Sequence, residues 1–419
     1  MKTKRLFYLC FAMSVMLFAC DGDDGGEDVG LSDAKPSGRT DSYATSKGEG
    51  GESGAYGYSE GDVIGGESGG SSDNQNQKIS GLLTAGEWND LDNWGFWVKL
   101  LNNNNYYGMP NYWCFYPKNL VAVRLTDADN NVVSNVLVTL LSDGKAEFST
   151  KTDNAGLAYC WINLFDSASV EAKYSLKIDE GTTVESVKLT TKADTVLNIN
   201  NIVLVNAKQP SATADVAFIV DATGSMFDEI DFLKADLDDI ISRASSLTGV
   251  ELRTGALFYR DEDDEYLTRA DNFSSDVQKT QQFVAAQEAD GGGDYPEAVH
   301  SALAAALQKL SWNESARARI AFLILDAPAH HNSNVISSLQ ESVKLFAKQG
   351  IKIIPVASSG ADKETEFMLR FFEMATGGTY VFLTDDSGIG ESHIEASVGD
   401  YEVEALADIM VRLIEKYVK

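Results

Sequence analysis

Positive charge is what this sequence most lacks. Its 34 lysines and arginines face 63 aspartates and glutamates, a formal net charge of −29 at pH 7. Such a chain repels another polyanion, and the counterion-release term that drives binding to phosphate backbones has the wrong sign, so nucleic acid is excluded as a partner. Long apolar runs are missing too, save one from Leu6 to Ala19, which suits a signal peptide and is short for a bilayer span. Histidine is rare, four in all, and no His-x-x-x-His spacing occurs, which argues against that form of zinc site. Cysteine is as scarce, with four in 419 residues.

The single apolar run follows Lys2, Lys4 and Arg5 and ends in "LFAC". Leu17 three places before Cys20, with small Ala19 between, resembles a bacterial lipobox. That resemblance implies a leader over 1–19, lipidation of Cys20 and attachment to the membrane through the lipid alone. The acidic stretch "CDGDDGGED" that follows resembles the surface-export signal of Bacteroidetes lipoproteins, implying an outer-membrane anchor facing the cell surface. Removing Cys10 and lipidating Cys20 leaves Cys114 and Cys160, an even pair in an oxidising compartment, and a disulfide between them is expected.

Residues 20–77 are rich in glycine, serine and acids and poor in large aliphatics. They cannot bury enough apolar surface to offset their ordering entropy, so a flexible tether is expected, with an end-to-end distance of about 40 Å for a Gly-rich coil. Residues 78–206 alternate apolar and polar side chains in short runs broken by Asp-Ala-Asp-Asn-Asn, Ser-Asp-Gly and Asp-Asn-Ala-Gly turns, the pattern of an all-β sandwich. About 50 residues of this stretch resemble Ig-like modules related to carboxypeptidase regulatory domains, which act as spacers. Ahead of them stand Trp88, Trp94, Trp97 and Trp113 with Tyr106, Tyr107 and Tyr112. Such rings either fill a core or junction or line a glycan site, and core filling is the commoner use of large aromatics.

From 212 to 419 the pattern changes. Near-continuous apolar runs at 216–220, 320–325, 351–357 and 379–383 alternate with helical spacing, as in Ile230, Leu233, Leu237, Ile240 and Ala244. This predicts a doubly wound α/β domain with a parallel sheet covered on both faces. In such sheets ligands collect beyond the carboxyl ends of the strands, at a topological switch point. The first run delivers Asp221, with Thr223 and Ser225 at alternate positions after it; the second delivers Asp326; "DGGGDYPEAV" brings Asp294 on a glycine loop. Three carboxylates and two hydroxyls are hard oxygen ligands suited to Mg²⁺, with Mn²⁺ or Ca²⁺ as alternatives. Ser225 lies in no Gly-x-Ser-x-Gly elbow and no base is evident, so an enzyme is not expected. The acidic run 260–265, "RDEDDE", reads as a solvated loop on the rim, and His330 and His331 as rim residues.

"DATGS" resembles the Asp-x-[Ser/Thr]-x-Ser signature of the von Willebrand factor type A domain, and "YRDEDDEY", "GGGDYPEAV" and "DAPAH" resemble its subgroup in hemicentin and some alpha-kinases. The resemblance implies a metal-ion-dependent adhesion site, MIDAS, at Asp221, Thr223, Ser225 and Asp326, and a protein or extracellular-matrix ligand bound through the metal, commonly by a carboxylate. Where the integrin pattern has threonine on the second loop, this chain has Asp294. Three carboxylates leave a divalent ion at a net −1, which favours holding the metal and disfavours an acidic partner. The alternative role is a structural component of an envelope assembly, in which the metal only stabilises the domain.

Overall fold

The computed structural model describes residues 83–168, 171–179, 181–205, 211–388 and 393–419. The leader expected at 1–19, Cys20 and the tether 20–77 lie outside the described residues. In chain order come β1 (Thr84–Trp88), α1 (Trp94–Leu100), α2 (Met109–Trp113), β2 (Leu120–Asp127), β3 (Leu137–Ser142), β4 (Lys145–Lys151), β5 (Leu157–Trp161), β6 (Tyr174–Ile178), β7 (Thr182–Val184) and β8 (Ile199–Leu204). Then follow β9 (Thr213–Asp221), α3 (Phe227–Thr248), β10 (Glu251–Tyr259), β11 (Thr268–Ser274), α4 (Val277–Ala285), α5 (Val299–Lys309), β12 (Ala318–Leu325), α6 (Ser333–Gln349) and β13 (Ile351–Ala357). The chain ends with α7 (Lys363–Thr376), β14 (Tyr380–Thr384), β15 (Glu404–Ala405) and α8 (Leu406–Val418). No helix among the described residues is long and apolar enough to cross a membrane.

The large sheet has the order β11-β10-β9-β12-β13-β14-β1-β15. Its five central strands, β10 to β14 in that order, run parallel, and β11, β1 and β15 join antiparallel. Strand β9, "TADVAFIVD", is buried almost throughout, because helices cover both faces and alternate side chains enter two different cores. Val216, Phe218 and Val220 join α3 and α8 on one face; Ala217 and Ile219 join α5, α6 and α7 on the other. From β9 the chain goes to β10 on one side, and β12 flanks β9 on the other, so the switch point falls between β9 and β12. That gap is where Asp221 and Asp326 emerge.

A second layer pair forms the β module. Sheets β5-β2-β8 and β4-β3-β6-β7 enclose a core containing Val121, Val123, Leu140, Leu176 and Cys160. The module docks firmly on the α/β body: Lys352 pairs with Asp153 at 3.1 Å, and Asn154 donates to the Lys416 carbonyl at 2.7 Å. From Asp73 onward the chain is one compact unit.

Two expectations are corrected. Residues 83–117, assigned by pattern to the all-β stretch 78–206, pack with the α/β domain. Strand β1 pairs with β14, and Trp97, Tyr106 and Phe115 join the core of α7 through Phe367 and Phe371. The aromatic segment is therefore the junction itself, with Tyr107 and Tyr112 left exposed. Nor do Cys114 and Cys160 form a disulfide. Cys160 sits inside the module core, its thiol donating to the Val138 carbonyl, whereas Cys114 ends α2 with its thiol on the Asn111 carbonyl. Cys114 is not part of the module core that holds Cys160, which is why an even count did not become a bond.

Candidate metal centre

Asp221 is the last residue of β9 and is wholly buried. Its Oδ1 accepts the Thr223 N–H at 2.9 Å and the Thr223 hydroxyl at 2.8 Å, a tight turn that launches the short helical turn Gly224–Met226 and then α3. Because Thr223 gives its proton to Asp221, the lone pairs of its hydroxyl remain for another acceptor-seeking group. Oδ2 of Asp221 is buried without a well-formed hydrogen bond, although the buried Tyr259 hydroxyl lies near it. Burial, with the charge of Asp326 next in order, pushes the Asp221 carboxyl up to about 7. Asp326, at the end of β12, is nearly as buried. Ser225 is exposed at the mouth.

The glycine loop closes over this turn. The Asp290 N–H donates to the Ala222 carbonyl at 3.0 Å, and the Gly224 N–H donates to the Gly291 carbonyl at 3.2 Å. Gly291 and Gly292 both have positive φ, +81° and +71°. A Cβ on Gly291 would collide with the Asp264 carboxylate, which instead accepts the Gly292 N–H at 2.9 Å. The acidic run is thus a clasp and not a solvated loop. Asp264 holds the glycine loop, Asp261 pairs with His330 at 2.7 Å, and the buried Arg260 donates to the Ala222 and Glu288 carbonyls. His331 keeps to the rim, stacked on Tyr112 at 3.7 Å.

Asp294 rides exposed on this loop. Two buried acids near the site were not singled out by sequence reasoning. Glu297, 4% exposed, is pushed up to about 9, first by burial and then by Asp221. Glu229 lies on the buried face of α3; its Oε1 accepts from the Ser359 N–H and hydroxyl at 3.2 and 3.1 Å, and burial pushes it up to about 7. Signals existed for both. Glu229 shares the face of Leu233 and Ile240, and Glu297 stands in Glu-x-x-His spacing with His300.

The residues fit a hard cation. Their donors are oxygens, and the carboxyls of Asp221, Glu297 and Glu229 are held above their usual range, first by burial. Among the described residues no three Asp, Glu, His or Cys side chains are close enough to hold an ion unaided, so hydroxyls and water must share the shell.

A doubly wound α/β domain with an Asp-x-Thr-x-Ser turn at its switch point is the class that this fold and site define. Residues 215–366 match the family model of the von Willebrand factor A domain. The chain is 29% identical over 188 residues to an ariadne-like RING finger protein of Acanthamoeba polyphaga mimivirus; the match covers 41% of this chain and 18% of that protein. Among solved structures, the pilus adhesin SpaC of Lactobacillus rhamnosus GG matches at 11% identity and a TM-score of 0.37, covering 51% of this chain and 32% of that one. A von Willebrand factor type A protein from Catenulispora acidiphila matches at 12% and 0.34, covering 73% and 50%. A proximal thread matrix protein of the mussel byssus, with zinc in its MIDAS motif, matches at 14% and 0.32, covering 49% and 45%. At such scores the likenesses carry no information about individual site residues.

Proposed function

We propose that this protein binds a protein or matrix partner through a divalent cation, Mg²⁺ in the first instance, held by Asp221, Thr223, Ser225, Asp326 and an acid of the glycine loop. The observation that carries this reading is the fully buried Asp221, whose Oδ2 lacks a hydrogen bond at the switch point of the parallel sheet. A bound cation would supply a Lewis-acidic point for a partner's oxygen. The chain's own residues orient it: Thr223 fixes the Asp221 carboxylate, and the glycine loop and Asp264 fix the mouth. We assign no catalytic step.

A lipid on Cys20 and the 20–77 tether would hold the β module and the metal-bearing domain at the outer surface of a Gram-negative cell, with the Ig-like module as spacer. A second reading gives the metal a stabilising role only, in an envelope assembly, and the buried Asp221 Oδ2 and Glu297 Oε2, each without a hydrogen bond, favour it.

Pull-down from envelope or host extracts in Mg²⁺ and in EDTA, with wild type and Asp221→Ala, separates the two. Partner capture that needs both Mg²⁺ and Asp221 supports binding through the metal. Capture that survives chelation and the substitution, while the melting temperature falls in EDTA, supports the stabilising role.

A further inference from the structure

Most lysines and arginines of the α/β body sit in ion pairs, as Lys234 does with Asp231, Lys279 with Asp271 and Arg412 with Glu87. A group of cations on the seam between β4 of the module and α6 of the body does not. Lys151, Arg319, Lys344 and Lys348 form no ion pair among the described residues, in a chain with 63 acids to 34 bases. Arg319 is 3% exposed, and its guanidinium donates to the carbonyls of Gln349 at 2.8 Å, Asn313 at 2.8 Å and Ala316 at 3.0 Å and to Asn135 Oδ1 at 2.5 Å. Its hydrogen bonds are satisfied while its charge is not. Lys151 Nζ reaches the Glu314 carbonyl at 3.4 Å, and Lys344 Nζ lies 4.7 Å from the centre of the Phe165 ring. Burial lowers the pKa of both lysines, and the Arg319 charge lowers that of Lys151 further. The seam strips water from cations and returns no carboxylate, which is costly until an anion arrives.

Two open hollows run together along this seam and share Leu345 and Lys348. One, of about 310 Å³, adds Leu137, Lys151, Trp312 and Arg319; the other, of about 160 Å³, adds Phe148 and Lys344. Of the two acids on their walls, Glu147 accepts the Asn163 N–H at 2.6 Å, and Glu314 meets Lys151 and Arg319 through its carbonyl. The result is an apolar trough with uncompensated cations along its length. Lys344 and Lys348 stand one helical turn apart on α6, about 6 Å along its axis, close to the ~6.7 Å between alternate residues of an extended chain.

We infer that this trough binds an extended acidic segment of a partner protein. Carboxylates at alternate positions of the segment meet Lys344 and Lys348, a further one meets Lys151, and apolar side chains of the same segment lie against Leu137, Trp312 and Leu345. The cations stand in a row and not around a point, which suits a peptide better than a lone phosphate. The trough lies at the amino ends of β12 and β13, the opposite end of the sheet from Asp221 and Asp326, so this partner is held without the metal.

The test is fluorescence anisotropy of a labelled peptide, Gly-Glu-Leu-Glu-Leu-Glu-Leu-Gly, titrated with the full chain, beside a counterpart with glutamine for each glutamate. The glutamate peptide is expected to bind saturably, equally in Mg²⁺ and in EDTA, and more weakly as NaCl rises. Exchange to glutamine, and the double variant Lys344→Glu/Lys348→Glu, are each expected to weaken binding about tenfold. Lys99→Glu, at an exposed lysine of α1 that lines neither hollow, is expected to stay within about twofold of wild type. Absence of saturable binding, a glutamine peptide that binds as tightly, or a double variant equal to wild type would overturn the inference. Displacement of the peptide by inorganic phosphate or by phosphatidylglycerol vesicles at equal charge concentration would overturn it too, and would assign the trough to a free anion or a lipid surface. Circular dichroism melts check folding. If the double variant does not fold, Lys348→Glu alone, at an exposed position, decides by the same comparison, with an expected loss of about threefold.

Discussion

Arg370 and Asp90 are 280 positions apart and meet with no exposure at all, the guanidinium donating Nε–H to Oδ2 at 2.7 Å and Nη2–H to Oδ1 at 2.5 Å. This bidentate pair fastens the segment after β1 to α7, and Glu366 adds a second buried acid on Nη1. Removing one partner strands a charge. Arg370→Met is expected to cost about 3–5 kcal/mol, whereas the double substitution with Asp90→Asn should recover much of that. Urea unfolding of the four proteins in the cycle measures it. A loss in the double variant equal to the sum of the two single losses would mean that the pair is not coupled.

The buried acids set a pH dependence. Asp221 and Glu229 are raised to about 7 and Glu297 to about 9, so the native state holds protons that the unfolded chain releases nearer its ordinary pKa. Stability without divalent ions is therefore full at the acid end and lost as pH rises from about 4 towards about 9. A pKa unit is worth about 1.4 kcal/mol, so Asp221 alone accounts for a loss on the order of 4 kcal/mol. Melting temperatures in EDTA should fall over that range, and Mg²⁺ should restore more at its alkaline end. In Asp221→Asn both effects should shrink. A stability that climbs with pH in EDTA would contradict the arrangement.

Gly291 is the hinge of the glycine loop. Its φ of +81° is strained for other residues, and a Cβ would strike the Asp264 carboxylate. Gly291→Ala is expected to lower stability by about 1–3 kcal/mol and to release the Gly292 N–H from Asp264. Denaturant melts give the first value, and the Mg²⁺-induced shift in melting temperature, expected to shrink, gives the second. Gly293, whose Cβ would meet open space, is the control: alanine there should change neither.

Burial pushes the Cys160 thiol up to about 12. In the native protein it should resist alkylation at neutral pH and react only on unfolding. Peptide mapping of protein isolated without reductant should give no Cys114–Cys160 crosslink, and reductant should leave the melting temperature unchanged. A crosslinked peptide would refute the separation of the two thiols.

The parallel strands were legible because burial on both faces writes continuous apolar runs, and the runs beginning at 216, 320 and 351 fall inside β9, β12 and β13. The placement of Asp221 and Asp326 at strand ends was legible for the same reason: each follows directly on such a run. Val403, three places before Leu406 and in step with Met410 and Leu413, lies outside α8 and is exposed, since two residues of β15 intervene. What pattern could not supply was long-range pairing. Strand β1 reads like any β-module strand, because nothing local distinguishes a strand that pairs with β2 from one that pairs with β14.

The place of β1 in the sheet has a consequence in time. Thr84 and Thr384 are register partners and share a hydrogen bond across 300 positions of chain, while the β module uses strands only between 120 and 204. During synthesis the module can close on its own contacts long before β14 exists. The first of the described strands waits longest, and the large sheet is sealed on that side only when the last tenth of the chain has emerged.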